Sequence, residues 1–298
     1  MNGTEITHVV IGIISARNPD GLAETLASLQ NLTFTAHSAP TISILVAGLE
    51  AEGPTASIAK SHGNVTYLHE PKPGIAAARN RILDNLPDNA QLLAWIDDDT
   101  RADPEWLAEL MAIRAESDAH IVLGTIEAHL PEDAPEWVRL GGFFNRRRFT
   151  DRAPLLEGVN SSLMHVQALR DSGLRFSDDS GTAGAGDAVF LRRAAKKNMP
   201  MIWTPKARTT EYIPLSRCNL GWLFGLNFRI GAMLGRSSWR IEGFVMGLKR
   251  LMEGFGEIIR SIIYIPLGLT SLPNGARCIF QFAMGLGVVL GALGYKPK

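Results

Sequence analysis

Apolar residues in the first part of the chain fall in short continuous runs separated by helical stripes. His8–Ile14 is apolar at nearly every position, the pattern of a strand buried on both faces. Asn18-Pro19-Asp20-Gly21 then opens a segment in which Leu22, Leu26 and Leu29 recur at helical spacing. Runs at 41–46 and 65–68 predict two more strands, and Pro71-Lys72-Pro73-Gly74 predicts a turn opening a helix over 75–86. A fourth strand is predicted over 92–96. Asp103-Pro104 predicts the next helix start, with aspartate as N-cap and proline at the first position. This alternation predicts an α/β fold, a mostly parallel sheet with helices on both faces. After Gly124 the rhythm gives way to a Pro- and Arg-rich stretch and then to shorter strands and loops.

The tail has a different pattern. Two apolar runs, 258–272 and 278–293, are interrupted by Arg260 and Gln281 and separated by the turn Pro273-Asn274-Gly275. Each is near the lower length limit for crossing a bilayer. Glycines recur four apart at Gly221 and Gly225, Gly231 and Gly235, Gly243 and Gly247, and Gly287 and Gly291, a spacing that lets helices approach closely in apolar surroundings. Lys249, Arg250, Lys296 and Lys298 flank the runs, which for membrane-associated helices favours both ends on the cytoplasmic side. A membrane-inserted hairpin, interfacial helices facing anionic lipid, and buried helices of a soluble domain all fit this pattern.

The net charge of zero hides this division. From Arg217 onward there are ten Lys or Arg against three Glu, so the tail carries about +7 and the preceding part about −7. No basic patch interleaved with aromatic residues occurs in the first two thirds, which argues against nucleic acid as a partner. Cys218 and Cys278 match no zinc or redox spacing, consistent with a reducing compartment. The start, Met-Asn-Gly-Thr-Glu, lacks the basic flank and apolar stretch of a secretory signal.

The candidate chemistry lies where the fourth strand stops. Leu92-Leu93-Ala94-Trp95-Ile96 runs directly into Asp97-Asp98-Asp99. Three adjacent carboxylates repel one another and cost stability unless a cation or hydrogen-bond donors offset them. At the carboxyl end of a strand in an α/β sheet, ligands usually bind. On strand geometry Asp97 and Asp99 would share a face and Asp98 point away. A divalent-metal and phosphate site fits this run; a solvated turn with Asp99 or Thr100 near a helix cap is the plainer alternative.

In five ordered blocks the chain resembles family 2 glycosyltransferases, which have the GT-A fold. These are the first strand with its leucine helix; Tyr67-Leu68-His69-Glu70 running into Gly74 and Ala78-Arg79-Asn80; the Asp97-Asp98-Asp99 strand end; residues 181–190; and a looser block from Glu211 through Pro214 and Arg217 to Trp222 and Arg229. They cover about residues 9–231, and the likeness is greatest to bacterial enzymes of exopolysaccharide assembly. The resemblance implies a GT-A domain over 1–215, with a nucleotide-binding part to about 125 and an acceptor part over about 126–215. A helical, membrane-associating region would follow over 216–298.

The resemblance also implies roles. Asp99 would ligate Mn²⁺ or Mg²⁺, Asp98 would contact the ribose and Asp97 would support the pair. Arg79 and Asn80 would help shape the nucleotide pocket, although an exposed helix face would place them similarly, and Arg217 could clamp the diphosphate. Gly184-Ala185-Gly186-Asp187 aligns with the family's Gly-Glu-Asp segment, so Asp187 would be the base; a helix N-cap before 188–197 is its structural alternative. Three positions depart from the pattern: no acid ends the second strand before Glu50, Gly186 stands where glutamate is usual, and Tyr212 stands where many relatives have histidine. The first weighs against UDP in particular. His165, in an apolar run, reads as a packed histidine, and Arg146, Arg147 and Arg148 as a solvated loop.

The expected function is an inverting, metal-dependent glycosyltransferase at the cytoplasmic face of a bacterial inner membrane. It would move sugar from a nucleotide-sugar donor to a glycan acceptor on a polyprenyl lipid. Two other readings are a catalytically degenerate sugar-binding or assembly subunit, and a nucleotidyltransferase with a related sheet.

Overall fold

A computed structural model describes residues 7–34, 39–145, 158–177 and 186–296. The chain divides into two compact units. The first comprises Met1–Glu127, Arg146–Asp178 and Phe190–Glu211, and the second Ala128–Asn145, Asp179–Val189 and Tyr212–Lys298.

The first unit is built on a sheet of eight strands: β1 (His8–Ile14), β2 (Thr41–Gly48), β3 (Val65–His69), β4 (Leu92–Trp95), β5 (Thr100–Ala102), β6 (Ile121–His129), β7 (Ser162–His165) and β8 (Met201–Tyr212). Their order is β3-β2-β1-β4-β7-β6-β8-β5. The first four pair in parallel, with Gly12 opposite both Leu45 and Trp95. Strand β7 pairs antiparallel with β4 and β6, and β5 pairs antiparallel with β8. The predicted parallel sheet is therefore its first half.

Alternation along β1 builds two cores at once. Val9, Ile11 and Ile13 pack with Leu22, Leu26 and Leu29 of α1 (Pro19–Gln30) and with Trp106, Leu107 and Leu110 of α4 (Trp106–Glu116). Val10 faces the other layer, with Ile82 of α3 (Ile75–Asp84), Leu169 of α6 (Val166–Ser172) and Phe190, Leu191 and Ala194 of α7 (Gly186–Lys196). Burial on both faces is why the strands read as unbroken apolar runs. Helix α2 (Pro54–Lys60) lies between β2 and β3 in the chain.

Two expected helix starts move. Asp103 is not an N-cap: α4 begins at Trp106 after Glu105, and the Asp103 backbone is held in a turn, its carbonyl accepting from Trp106 and its N–H bonding Arg208. Helix α7 begins at Gly186, which puts Asp187 inside its first turn, not at a cap.

The second unit holds α5 (Glu136–Gly141) and the tail helices α8 (Leu220–Ser237), α9 (Phe244–Ile263), α10 (Ile265–Gly268) and α11 (Leu272–Ala292). The run 258–272 does not form one helix; it is divided among the end of α9, α10 and the link to α11. Among the described residues only α11 is long and apolar enough to cross a membrane. The glycine spacing works as expected for two of the four pairs. A Cβ at Gly231 or Gly235 would strike the backbone of Met284 or Val288, and one at Gly287 or Gly291 the backbone of Phe228 or Ala232. Helices α8 and α11 thus meet backbone to backbone.

Candidate active site

Strand β4 is buried throughout and stops at Trp95, so the three aspartates belong to a turn and strict strand alternation does not extend to them. The Thr100 N–H closes that turn on the Asp97 carbonyl at 3.2 Å. Ile96 is the last residue tied to the parallel sheet, through the Gly12 carbonyl.

The turn is held from three sides. From the segment after β1, Ser15 donates its hydroxyl to the Asp98 carboxylate at 2.6 Å. Asn18 donates its amide to the Asp98 carbonyl at 3.2 Å while its Oδ1 caps α1 by accepting from Gly21. Gly21 has to be glycine, because a Cβ there would overlap that same Asp98 carbonyl. One turn further along α1, Thr25 donates to the Thr100 carbonyl at 2.9 Å.

From the opposite side comes Asn160, which is 5% exposed. Its Oδ1 accepts from the Asp97 N–H at 3.1 Å and its Nδ2 donates to Thr100 Oγ1 at 3.0 Å. The Thr100 hydroxyl in turn donates to Asp99 Oδ1 at 3.3 Å. The next residue, Ser161, has a left-handed backbone, with φ of 58°, and is fully buried with its hydroxyl bonded to Trp106. A non-glycine residue held in that conformation at a buried position costs free energy that the surrounding packing offsets, a pattern frequent near functional sites.

The third support is Arg79. Its guanidinium donates to Asp97 Oδ1 at 3.2 Å and its side chain is 2% exposed. It lies between the rings of Trp95 and Phe176, 5.6 and 5.3 Å from their centroids. Asn80 holds Phe176 in place, donating to its carbonyl at 2.9 Å and accepting from its N–H at 3.0 Å. Phe176 also stacks on Phe190 of α7 at 4.2 Å. The alternative of an exposed helix face for Arg79 is thus excluded. Arg79 thus braces the aspartate turn directly, and Asn80 fixes the Phe176 ring that lies against Arg79.

Strand β5 carries the turn to β8, where Thr100 stands opposite Glu211. Asp98 and Asp99 offer adjacent, half-buried carboxylates at a hard polar turn. Among the described residues no group of three or more His, Cys, Asp or Glu converges to cage a metal. Hard oxygen donors from one or two carboxylates, with the remaining positions left for phosphate, suit Mg²⁺ or Mn²⁺ and not zinc.

In the second unit, Asp187 is 7% exposed, and Ala188 and Val189 beside it pack on Met233 and Ile241. A carboxylate in the first turn of a helix is stabilised by the unpaired N–H groups there. Arg217 closes a short 3-10 turn, Leu215–Arg217, with its guanidinium 5.7 Å from the Trp222 ring. Tyr212 packs on His129, ring centroids 4.8 Å apart. Gly184, Ala185, Arg146, Arg147 and Arg148 lie outside the described residues.

Ser15, Thr25 and Asn160 were not legible as site residues. Ser15 had a weak signal, being the first residue past an apolar strand; Asn160 lies 63 positions from its partner Asp97.

A parallel sheet with an acidic turn at its carboxyl edge, continued by antiparallel strands, is the arrangement expected of a GT-A domain. The family model for glycosyl transferase family 2 matches residues 10–173. The succinoglycan biosynthesis protein ExoM of Rhizobium meliloti (strain 1021) is 30% identical over 98% of this chain and 95% of its own. The chain belongs to glycosyl transferase family 2.

Solved structures establish its GT-A fold. The mannosyltransferase PcManGT from Pyrobaculum calidifontis, in complex with GDP-Man and Mn²⁺, superposes with a TM-score of 0.64 at 14% identity, over 98% of this chain and 88% of that one. TarS 1-349 of S. aureus superposes with a TM-score of 0.53 at 14% identity, over 95% and 90%.

Proposed function

We propose that this glycosyltransferase inverts the anomeric centre of a nucleotide-sugar donor as it passes the sugar to a glycan acceptor in bacterial exopolysaccharide synthesis, the acceptor being carried on a polyprenyl lipid. The observation that carries the reading is the aspartate turn, which ends a buried strand and is braced by Ser15, Asn18, Arg79 and Asn160. Such bracing holds like charges together before any donor arrives, and a site so pre-organised needs little rearrangement in the reaction. ExoM, named for succinoglycan biosynthesis, supports the exopolysaccharide setting.

Asp99 is the metal ligand and Asp98 the ribose contact, oriented by the Ser15 hydroxyl. A bound Mn²⁺ or Mg²⁺ would neutralise charge on the departing diphosphate. Asp97 supports the turn, and Arg79 and Asn80 act on the nucleotide site through it. Arg217 supplies a further cation for the diphosphate. Asp187 is the base by its motif position: it takes the acceptor hydroxyl proton as the new glycosidic bond forms and the bond to the nucleotide breaks. The basic, apolar tail keeps the enzyme on the cytoplasmic face of the inner membrane, where a lipid-linked acceptor diffuses in two dimensions.

The test is release of nucleoside diphosphate from a panel of nucleotide sugars with Mn²⁺ or Mg²⁺. Asp187→Asn should lower turnover by roughly two to four orders of magnitude with donor affinity little changed. Asp99→Ala should lose the cation dependence of donor binding in calorimetric titration, whereas Asp98→Ala should weaken nucleotide affinity and keep it. A folded wild-type protein that turns over no donor would favour the degenerate sugar-binding subunit.

A further inference from the structure

Helix α9 is assembled inside out. Its packing face carries small residues seven apart, Gly247, Gly254 and Ser261, all buried. A Cβ at Gly254 would press on Val288, and one at Gly285 would press on the Gly254 carbonyl, so α9 docks on α11 through bare backbone. Its large side chains lie elsewhere. Phe244, Leu248, Met252, Phe255, Ile259 and Ile262 recur at intervals of three and four, which puts them on one stripe, and they are between 43% and 70% exposed. A helix of a soluble core buries that stripe. Here it forms an exposed stripe about 27 Å long at 1.5 Å per residue. Beyond it, Leu269 is 84% and Leu272 76% exposed.

Charge indicates what covers the stripe. The flank of α9 carries Lys249, Arg250, Glu253, Glu257 and Arg260, three cations against two carboxylates; Glu253 pairs with Arg250 at 2.7 Å, and Glu257 pairs with Arg260 at 3.1 Å and accepts from Gln281 of α11 at 2.6 Å. The chain from Arg217 onward has ten Lys or Arg against three Glu. Two such surfaces repel one another, which disfavours a second copy of the chain, while an anionic lipid surface attracts them. A spanning orientation is disfavoured as well, because it would carry five charged side chains of α9 through the hydrocarbon. The apolar surface of α11 is partly consumed by α8 and α9, through Gly285, Gly287 and Gly291.

We propose that α9 lies in the plane of an anionic membrane, its apolar stripe among the acyl chains and its basic flank at the head groups, with α11 serving as an internal packing helix and not as a span. The proposal rests on the membrane reading given above and replaces its hairpin option with an in-plane one.

The test uses the full chain with vesicles of phosphatidylcholine containing about 30% phosphatidylglycerol. Met252→Asp with Phe255→Asp, at two exposed positions, should lower vesicle binding about tenfold or more with an unchanged circular dichroism spectrum, and Met252→Leu with Phe255→Leu should keep it. Spin labels placed singly at residues 252 and 262 in a Cys278→Ser background should report equal depths from collision with oxygen and with a polar nickel complex. A spanning helix would separate those depths by about 15 Å. Unequal depths, full binding by the aspartate variant, or a lipid-free dimer that this variant dissociates would each overturn the proposal. Donor turnover is read separately, so a protein that binds with equal depths and turns over no donor refutes the catalytic reading alone.

Discussion

Removing the carboxylate of Asp97 tests whether the aspartate turn is a pre-charged platform held by Arg79. Arg79 is 2% exposed beside it, and Asp97 is 30% exposed. Deleting one partner of a buried ion pair costs about 3–5 kcal/mol, because the remaining charge is left in a poor environment. The partial exposure of Asp97 puts Asp97→Ala near the lower end, about 3 kcal/mol. At about 2–4 °C per kcal/mol for a chain of this size class, the unfolding midpoint should fall by roughly 6–12 °C. Arg79→Met alone should also destabilise, since it removes the ion pair with Asp97 and empties part of the space between Trp95 and Phe176. The decisive variant is the double one. With both charges gone and methionine against two aromatic rings, most of the loss should return, giving a coupling of about 1.5 kcal/mol or more. Nucleoside diphosphate release should nevertheless stay at least about tenfold down, because the turn has lost its fixed charge. Thermal and urea unfolding of the four proteins, with turnover of each, decides the matter. Single effects that simply add would refute the brace, and full activity in the double variant would refute its link to the site.

Two further outcomes follow from packing and titration. At Gly287 a Cβ would strike the Phe228 carbonyl, so Gly287→Val should overpack the contact of α8 with α11 and cost about 1–3 kcal/mol by urea unfolding, with the aspartate turn unaffected. The His165 imidazole is held below its usual pKa by burial and by the charges of Arg114 and His120, partly offset by Asp171. Its folded state therefore binds a proton less readily than the unfolded chain, so stability is kept above about pH 6.5 and falls as pH drops through that value toward the lower folded pKa. His165→Asn should flatten the melting temperature between pH 5 and 7, and an unchanged slope would count against this cause.

The sequence by itself determined the elements whose signal is local. Unbroken apolar runs give the parallel strands because both faces of β1 are buried, as the split of Val9, Ile11 and Ile13 from Val10 makes plain. Asn18-Pro19 marks the start of α1 because cap and first-turn chemistry are encoded in adjacent residues. The aspartate cluster stands out in the sequence as a candidate site because three neighbouring carboxylates demand a reason. Helix starts were less secure: Asp103 had the right residue types for a cap, but its backbone was claimed by Arg208 from a distant strand. Tertiary structure alone decided what holds the site and which way the tail faces. Asn160 reaches Asp97 across 63 residues, and Arg79 reads from sequence as one more basic residue on a helix until Trp95 and Phe176 enclose it. On α9 the periodicity was present in the sequence, but which stripe faces protein depends on the partner helix. Glycine backbones approach more closely than any side chain allows, so the small face packs inward and the large one stays exposed.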